Sequence, residues 1–222
     1  MKYSREHPSP RYRHLVNNYR FMHTQGFTRR VEGEEIFTPP EKTYPGYELP
    51  RFAQPIKKVL RGAGARSVLD YGSGKGQQYQ LEVKTQLEKY PNIQSYWDVD
   101  EIVCFDPAVP GIDKRPNKKF DAVVTTSVME HVPTGDIAWV VDDLFSYAKK
   151  FVFACINCEP TQIILPNGEN ANCTVQSPEW WDNMFGKAAA KTNGLIYLLA
   201  LSIKHNVTGR QGIVWKSNVL FH

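Results

Sequence analysis

Little in this chain points to stapling, spanning or wrapping a polyanion. Cysteine is scarce: four among 222 residues are too few for a disulfide framework, so a reduced, cytoplasmic protein is the expectation. Long apolar runs are missing too. The stretch Gly194 to Ile203 is charge-free and apolar, but it falls well short of the roughly 20 residues a spanning helix needs. The opening residues MKYSREHPSPRYRH hold no apolar core of the kind a secretory signal carries. Neither sign of charge dominates, because 27 Lys and Arg stand against 23 Asp and Glu for a net +4. That mild excess permits a nucleic-acid partner without indicating one, since no long basic run is present. Internal repeats and low-complexity tracts are also lacking. What remains is ordinary globular usage, 41% hydrophobic and 23% charged. The length suits one large domain with a real core, or one domain with a small appendage.

Residues 1–50 differ from the rest. They carry Pro8, Pro10, Pro39, Pro40, Pro45 and Pro50, and they interleave Arg5, Arg11, Arg13, Arg20, Arg29 and Arg30 with tyrosines and phenylalanines. They read as an irregular or short-helical cap or substrate segment packed on a main domain at 51–222. Beyond Arg51 the periodicity changes. Phe52, Ile56, Val59 and Leu60 predict a helix. Strands are then predicted at Ser67–Tyr71, Glu101–Asp106, Phe120–Thr126 and Phe151–Ile156, with two more over 195–204 and 212–218. Helices are predicted over 75–89 and 134–150, and from Ser177 as N-cap with Pro178 in the first turn. Pro91 to Asp100 reads as a surface insertion. This alternation predicts an α/β, Rossmann-like, doubly wound and mostly parallel sheet, with an antiparallel C-terminal edge strand and an N-terminal cap. Ligands of such sheets bind beyond the C-terminal ends of the strands.

A glycine-rich turn falls at such an end: Asp70-Tyr71-Gly72-Ser73-Gly74-Lys75-Gly76. A phosphate-cradling G-x-x-x-x-G-K-[ST] loop fails on spacing and on Gln77. The dinucleotide fingerprint G-x-G-x-x-G fails because Gln77 takes the third glycine position. The pattern acidic-x-G-x-G-x-G fits throughout. A carboxylate at Asp70 would repel a phosphate and suit a cationic ligand without one, such as S-adenosylmethionine (SAM). Gly72 and Gly74 would let the backbone turn tightly and approach the ligand. Asp106, ending the second strand, could bind both ribose hydroxyls.

These segments resemble the class I SAM-dependent methyltransferases. VLDYGSGKG at 68–76 is similar to the family's first motif, VCFDPAVP at 103–110 to its second-strand acidic motif, and FDAVVTTSVMEHVP at 120–133 to its fourth-strand motif. The resemblance covers about residues 52–156. Among small bacterial or phage members it extends to the loop Leu165–Ala171, the pair Trp180-Trp181 and Thr43-Tyr44-Pro45-Gly46. It implies SAM as cofactor, held by Asp70, Tyr71, Gly72, Ser73, Gly74, Gly76, Asp106, Pro107, Thr126, Ser127 and Val128. No third strand is evident between Ala108 and Lys119. Asn172 stands where such proteins carry a histidine.

Methyl transfer requires alignment and, for many acceptors, removal of one proton. His131 is the first candidate base, because it titrates near neutral pH and lies just past a strand end. The alternative is that Glu130-His131 only shapes the pocket. Glu159, beyond the fifth strand, is the second candidate. Asn170 and Asn172 could orient a hydroxyl or simply form turns. Cys155-x-x-Cys158, with Cys173 and His205, invites a zinc reading, but a buried strand and the lack of a second C-x-x-C argue against a metal. Trp180-Trp181 suits docking to the sheet better than stacking on a ligand. The expected function is methyl transfer from SAM to oxygen or nitrogen of a small molecule or glycan. Nucleic-acid methylation and non-catalytic SAM binding are the alternatives. No Asn-Pro-Pro-Tyr or Pro-Cys motif for base methylation is present.

Overall fold

The computed structural model describes residues 2–31, 34–165, 167–204 and 211–219, with only the backbone described at 29–31. Pro166 and His205, and the side chains of Arg29 and Arg30, thus lie outside the described residues.

The elements follow the chain as α1 (Pro10–Gln25), β1 (Phe27–Val31), β2 (Glu34–Thr38), α2 (Ala53–Gly62), β3 (Ser67–Tyr71), β4 (Val83–Lys84), β5 (Lys89–Tyr90), α3 (Ile93–Trp97), β6 (Glu101–Phe105), β7 (Phe120–Thr126), α4 (Ile137–Tyr147), β8 (Ala148–Asn157), α5 (Pro178–Ala189), β9 (Ile196–Lys204) and β10 (Gln211–Ser217). Six strands form one mixed sheet in the order β10-β9-β8-β7-β3-β6. All neighbours are parallel except β10, which pairs antiparallel with β9 at the edge. The connection from β3 runs outward to β6, while the next strand returns to the other side as β7. The order therefore reverses at β3, and a crevice opens where neighbouring strands send their loops in opposite directions.

The alternation of strand side chains builds two cores. Val152, Ala154 and Ile156 of β8 join Leu144, Trp181 and Phe185 from α4 and α5 on one face. Phe151, Phe153 and Cys155 join Ile56, Leu60 and Trp97 from α2 and α3 on the other. Strands covered on both sides need continuous apolar runs, as β7 and β8 have. Ser177 caps α5 as its spacing predicts, accepting from the Trp180 amide.

Several expectations are corrected. Residues 75–89 are not a helix. Gly76 adopts φ +69 and leads only into a short 3-10 turn at Gln77–Gln80, followed by the β4–β5 hairpin, whose turn is held by the Thr85 hydroxyl accepting from the Glu88 amide at 2.9 Å. Pro91 to Asp100 is not a surface insertion, because Ile93, Tyr96 and Trp97 are buried against α2. The helix predicted over 134–150 is α4, shorter at both ends, and β8 starts directly after it as Ala148 pairs with Phe120. The N-terminal region is better ordered than its prolines suggest. Pro10 is the first residue of a 16-residue helix capped by Ser9, a position where its missing N–H is harmless. No strand lies between β6 and β7.

Candidate functional site

At the switch point lies a cavity of about 300 Å³, within the range of small-molecule pockets. Its floor is the β3 turn, with Tyr71, Gly72, Ser73 and Gly74. One side carries Asp106 and Pro107 after β6, another Thr126, Ser127, Val128 and His131 after β7. The roof is the N-terminal region: Tyr12, Leu15, Val16, Tyr19 and His23 from α1, then Tyr44 to Glu48.

The turn is built from backbone bonds. The Gly72 amide donates to the Phe105 carbonyl at 2.7 Å and the Ser73 amide to the same oxygen at 3.2 Å, tying β3 to β6. Gly72 and Gly74 sit at φ +79 and +56, where a side chain is strained. A Cβ at Gly72 would run into a Val128 methyl, and one at Gly74 into the Tyr44 carbonyl. These glycines therefore bring the Tyr44 and Val128 loops close to the turn.

Asp106 is nearly buried. One carboxylate oxygen accepts from the Gly74 amide at 3.0 Å and the other from the Ala108 amide at 2.8 Å. Each oxygen keeps a lone pair to offer the cavity. Burial lifts this carboxyl to about 6, against the pull of the two amides.

Asp70 is placed differently from the expectation. It does not line the cavity. It lies behind the turn, fully buried, and one oxygen accepts from Gln78 Nε2 and the Tyr79 hydroxyl, both at 2.9 Å. Gln78 Nε2 also donates to the Ser73 carbonyl at 3.2 Å, so Asp70 braces the turn from below. Burial raises its carboxyl to about 7. Gly76 is likewise outside the cavity. The other expected cofactor residues, Tyr71, Gly72, Ser73, Gly74, Asp106, Pro107, Thr126, Ser127 and Val128, come together in its wall. Ser127 holds φ +54, a conformation that non-glycine residues adopt mainly where surroundings enforce it.

His131 lines the cavity. Its Nδ1 lies 2.7 Å from the Ala171 carbonyl. A carbonyl only accepts, so the proton sits on Nδ1 and Nε2 is a bare acceptor. Burial holds the ring below its ordinary pKa, and the Ala171 bond opposes this. Glu159 is elsewhere: its carboxylate accepts from the Lys204 amide at 3.2 Å, and it does not reach the cavity wall. Asn170 and Asn172 are turn formers. Asn170 binds both the amide and the carbonyl of Thr161, and Asn172 Nδ2 donates to the Glu159 carbonyl at 2.6 Å. Glu130 is buried beneath the loop, one oxygen accepting from the Asn157 amide at 3.0 Å, with burial lifting it to about 7. Cys155 and Cys158 are buried free thiols, raised to about 12 at Cys158 by burial. Among the described residues no group of three or more His, Cys, Asp or Glu is placed to hold a metal. Trp181 is fully buried in the sheet-facing core.

The roof contributes residues that the sequence reading passed over. Tyr12, Leu15, Val16, Tyr19 and His23 fall at i, i+3, i+4, i+7 and i+11, a helical stripe that was readable. Lys75 Nζ lies 3.1 Å from His23 Nδ1 and 2.9 Å from its carbonyl, so the glycine turn is tethered to α1. Burial and the Lys75 charge push His23 down to about 4. Arg20 pairs with Asp113 at 2.8 Å and donates to the Pro107 carbonyl at 3.0 Å. Arg5 reaches Asp143 at 3.1 Å and Arg11 reaches Glu169 at 2.9 Å. These N-terminal arginines dock the roof on the domain. Among the described residues no helix is long and apolar enough to cross a membrane. No protein-family model matches the chain, and no curated protein matches it.

Proposed function

We propose that this chain is a SAM-dependent methyltransferase of Rossmann-like, doubly wound fold, acting on oxygen or nitrogen of a small-molecule or glycan acceptor. The observation that carries the reading is Asp106. Its carboxylate closes the strand beside the glycine turn, faces a cavity lined by no Lys or Arg among the described residues, and keeps lone pairs free on both oxygens. A phosphate would meet repulsion there, and a ribose diol would meet two acceptors. The cationic charge of SAM suits the same wall. Ser73, Thr126 and Ser127 add polar groups around the floor.

When bound, the cofactor would supply an electrophilic methyl group whose sulfur leaves as a neutral thioether. The chain's own residues do the rest. Asp106 holds the ribose, and α1 with the Tyr44 segment excludes water. Nε2 of His131 takes the acceptor proton, and the Ala171 carbonyl keeps that ring in the right tautomer. Burial keeps His131 neutral at pH 7, which a base requires.

Equilibrium dialysis of radiolabelled SAM against the full chain, with ATP and NAD as competitors, tests the reading. It expects saturable one-to-one binding that neither nucleotide displaces. Displacement by ATP or NAD, or no saturable binding, would overturn it.

A further inference from the structure

A second hollow shares no lining residue with the cavity at the glycine turn. It is an open pocket of about 520 Å³ where the N-terminal segment, the loop joining β6 to β7 and the last turn of α4 meet. Arg5, Arg115, Lys118 and Lys119 are four of its eight lining residues, and no Asp or Glu is among them. The loop carries most of this charge, with Lys114, Arg115, Lys118 and Lys119 inside six residues.

The carboxylates that hold these cations stand behind the wall. Asp143 of α4 has a side chain only 2% exposed. It accepts from Arg5 at 3.1 Å, from Arg115, and from the Tyr71 hydroxyl at 2.9 Å. One buried carboxylate is thus shared by two guanidiniums. Arg5 spends Nε and Nη1 on Glu6 and Asp143, which leaves the two N–H groups of Nη2 unspent. Glu101 of β6 grips Lys118 with both oxygens at 2.7 Å, and the Lys118 ammonium lies 5.2 Å from the centre of the Phe120 ring. That charge is therefore fixed at the pocket edge. Lys119 makes no hydrogen bond or ion pair among the described residues.

Such a wall selects an anion by its charge and its number of oxygens. Guanidiniums present planar N–H pairs that match anionic oxygens, and here they are held in place by Asp143 before any ligand arrives. A carboxylate brings two oxygens and one charge. A phosphate group brings more acceptor oxygens and up to two charges, which suits four cations better.

We propose that this pocket binds a phosphate group, gripped by Arg5 and Arg115 and closed in by Lys118 and Lys119. The group belongs to a small phosphoester or to a nucleic-acid backbone, and the site is independent of what the first cavity holds.

Equilibrium dialysis of radiolabelled inorganic phosphate against the full chain tests this at physiological ionic strength, where distant charges are screened. Acetate, methyl phosphate and a short single-stranded DNA serve as competitors, and melting checks the fold of each variant. Phosphate should bind saturably, one per chain, and methyl phosphate should displace it far better than acetate. Arg5→Gln should weaken phosphate about tenfold or more, the effect of a lost charge-assisted hydrogen bond. Lys118→Gln with Lys119→Gln should weaken it about 3–10-fold, as two rim charges would. Arg61→Gln with Lys187→Gln removes the same charge from exposed positions outside the pocket and should leave phosphate binding at the wild-type level. No saturable binding, acetate competing as well as methyl phosphate, or equal affinities in the two double variants overturns the proposal. Displacement by DNA at lower concentration than methyl phosphate, lost steeply with salt, makes a nucleic-acid backbone the source. Weaker or no displacement by DNA makes it a small phosphoester.

Discussion

One neighbour fixes the tautomer of His131. The Ala171 carbonyl fixes the proton on Nδ1, and burial depresses the ring pKa. The sign follows directly. A base must be neutral, so turnover should rise with pH through a value below the ordinary 6.5 and stay level above it. His131→Ala should lower turnover roughly 10²–10⁴-fold while SAM affinity holds within a few-fold. Steady-state kinetics from pH 5 to 8 checks both parts. An unchanged turnover, or a fall in affinity alone, would make His131 a wall. The sequence put His131 in the site because the strand-end position and the residue type were both local. Glu159 met the same local criteria, yet its carboxylate is drawn to the β9 backbone at Lys204, a contact 45 residues away that no local pattern records. The tautomer of His23 likewise depends on Lys75, 52 residues on.

The roof is the element on which the account depends most. Helix α1 is fastened at both ends: Ser9 donates through its amide and hydroxyl to Asp136 at 2.9 and 2.6 Å, and Arg20 grips the Pro107–Asp113 loop. Its own apolar contacts are few: Leu15 and Met22 join Phe27, Leu165 and Ala171 in a small cluster, and Tyr12 packs on Trp139. Deleting residues 1–45 should therefore leave a cooperatively melting sheet domain, because both sheet cores are built from other elements. SAM affinity should drop at least about tenfold, as expected when a water-excluding lid and several contacts are lost. Melting and dialysis of the truncated chain decide this, and full affinity would reduce the segment to a tail. Elements were legible where burial enforced periodicity. The strands β3 and β7 and the start of helix α5 follow their sequence patterns closely, while β8 begins three residues before its predicted Phe151. The stretch 75–89 was not, because its polar residues suit a helix by propensity alone. Gln78 instead spends its amide on Asp70 and Ser73, and tertiary demand overrides propensity. Ile93, Tyr96 and Trp97 were hidden by their brevity: five residues show no period.

At the scale of the whole molecule, acidic groups gather beneath the strand ends. Asp70 and Glu130 are raised to about 7 and Asp106 to about 6, each chiefly by burial. A carboxyl with a raised folded pKa binds more protons when folded than when unfolded between about pH 4 and that pKa. Stability therefore falls as pH rises through this window and levels off above about 7. Asp70→Asn keeps an acceptor for Gln78 and Tyr79 and removes one titration, so its stability should fall less steeply. Urea midpoints at pH 5 and 8 for both proteins check this, and identical slopes would contradict the assignment of buried charge to Asp70. Of the three, Asp106 alone faces the cavity.

Calorimetric titration of SAM into the intact chain and into Asp106→Ala decides whether this carboxylate holds the ribose. Loss of hydrogen bonds to a charged group should cost about 1.5–3 kcal/mol, a weakening of roughly 10- to 150-fold. Wild type should bind one SAM per chain, and Asp106→Ala should bind within that weaker range while still melting cooperatively. Equal affinity in the two proteins would remove Asp106 from the ribose, and no binding heat in either would remove SAM from this cavity.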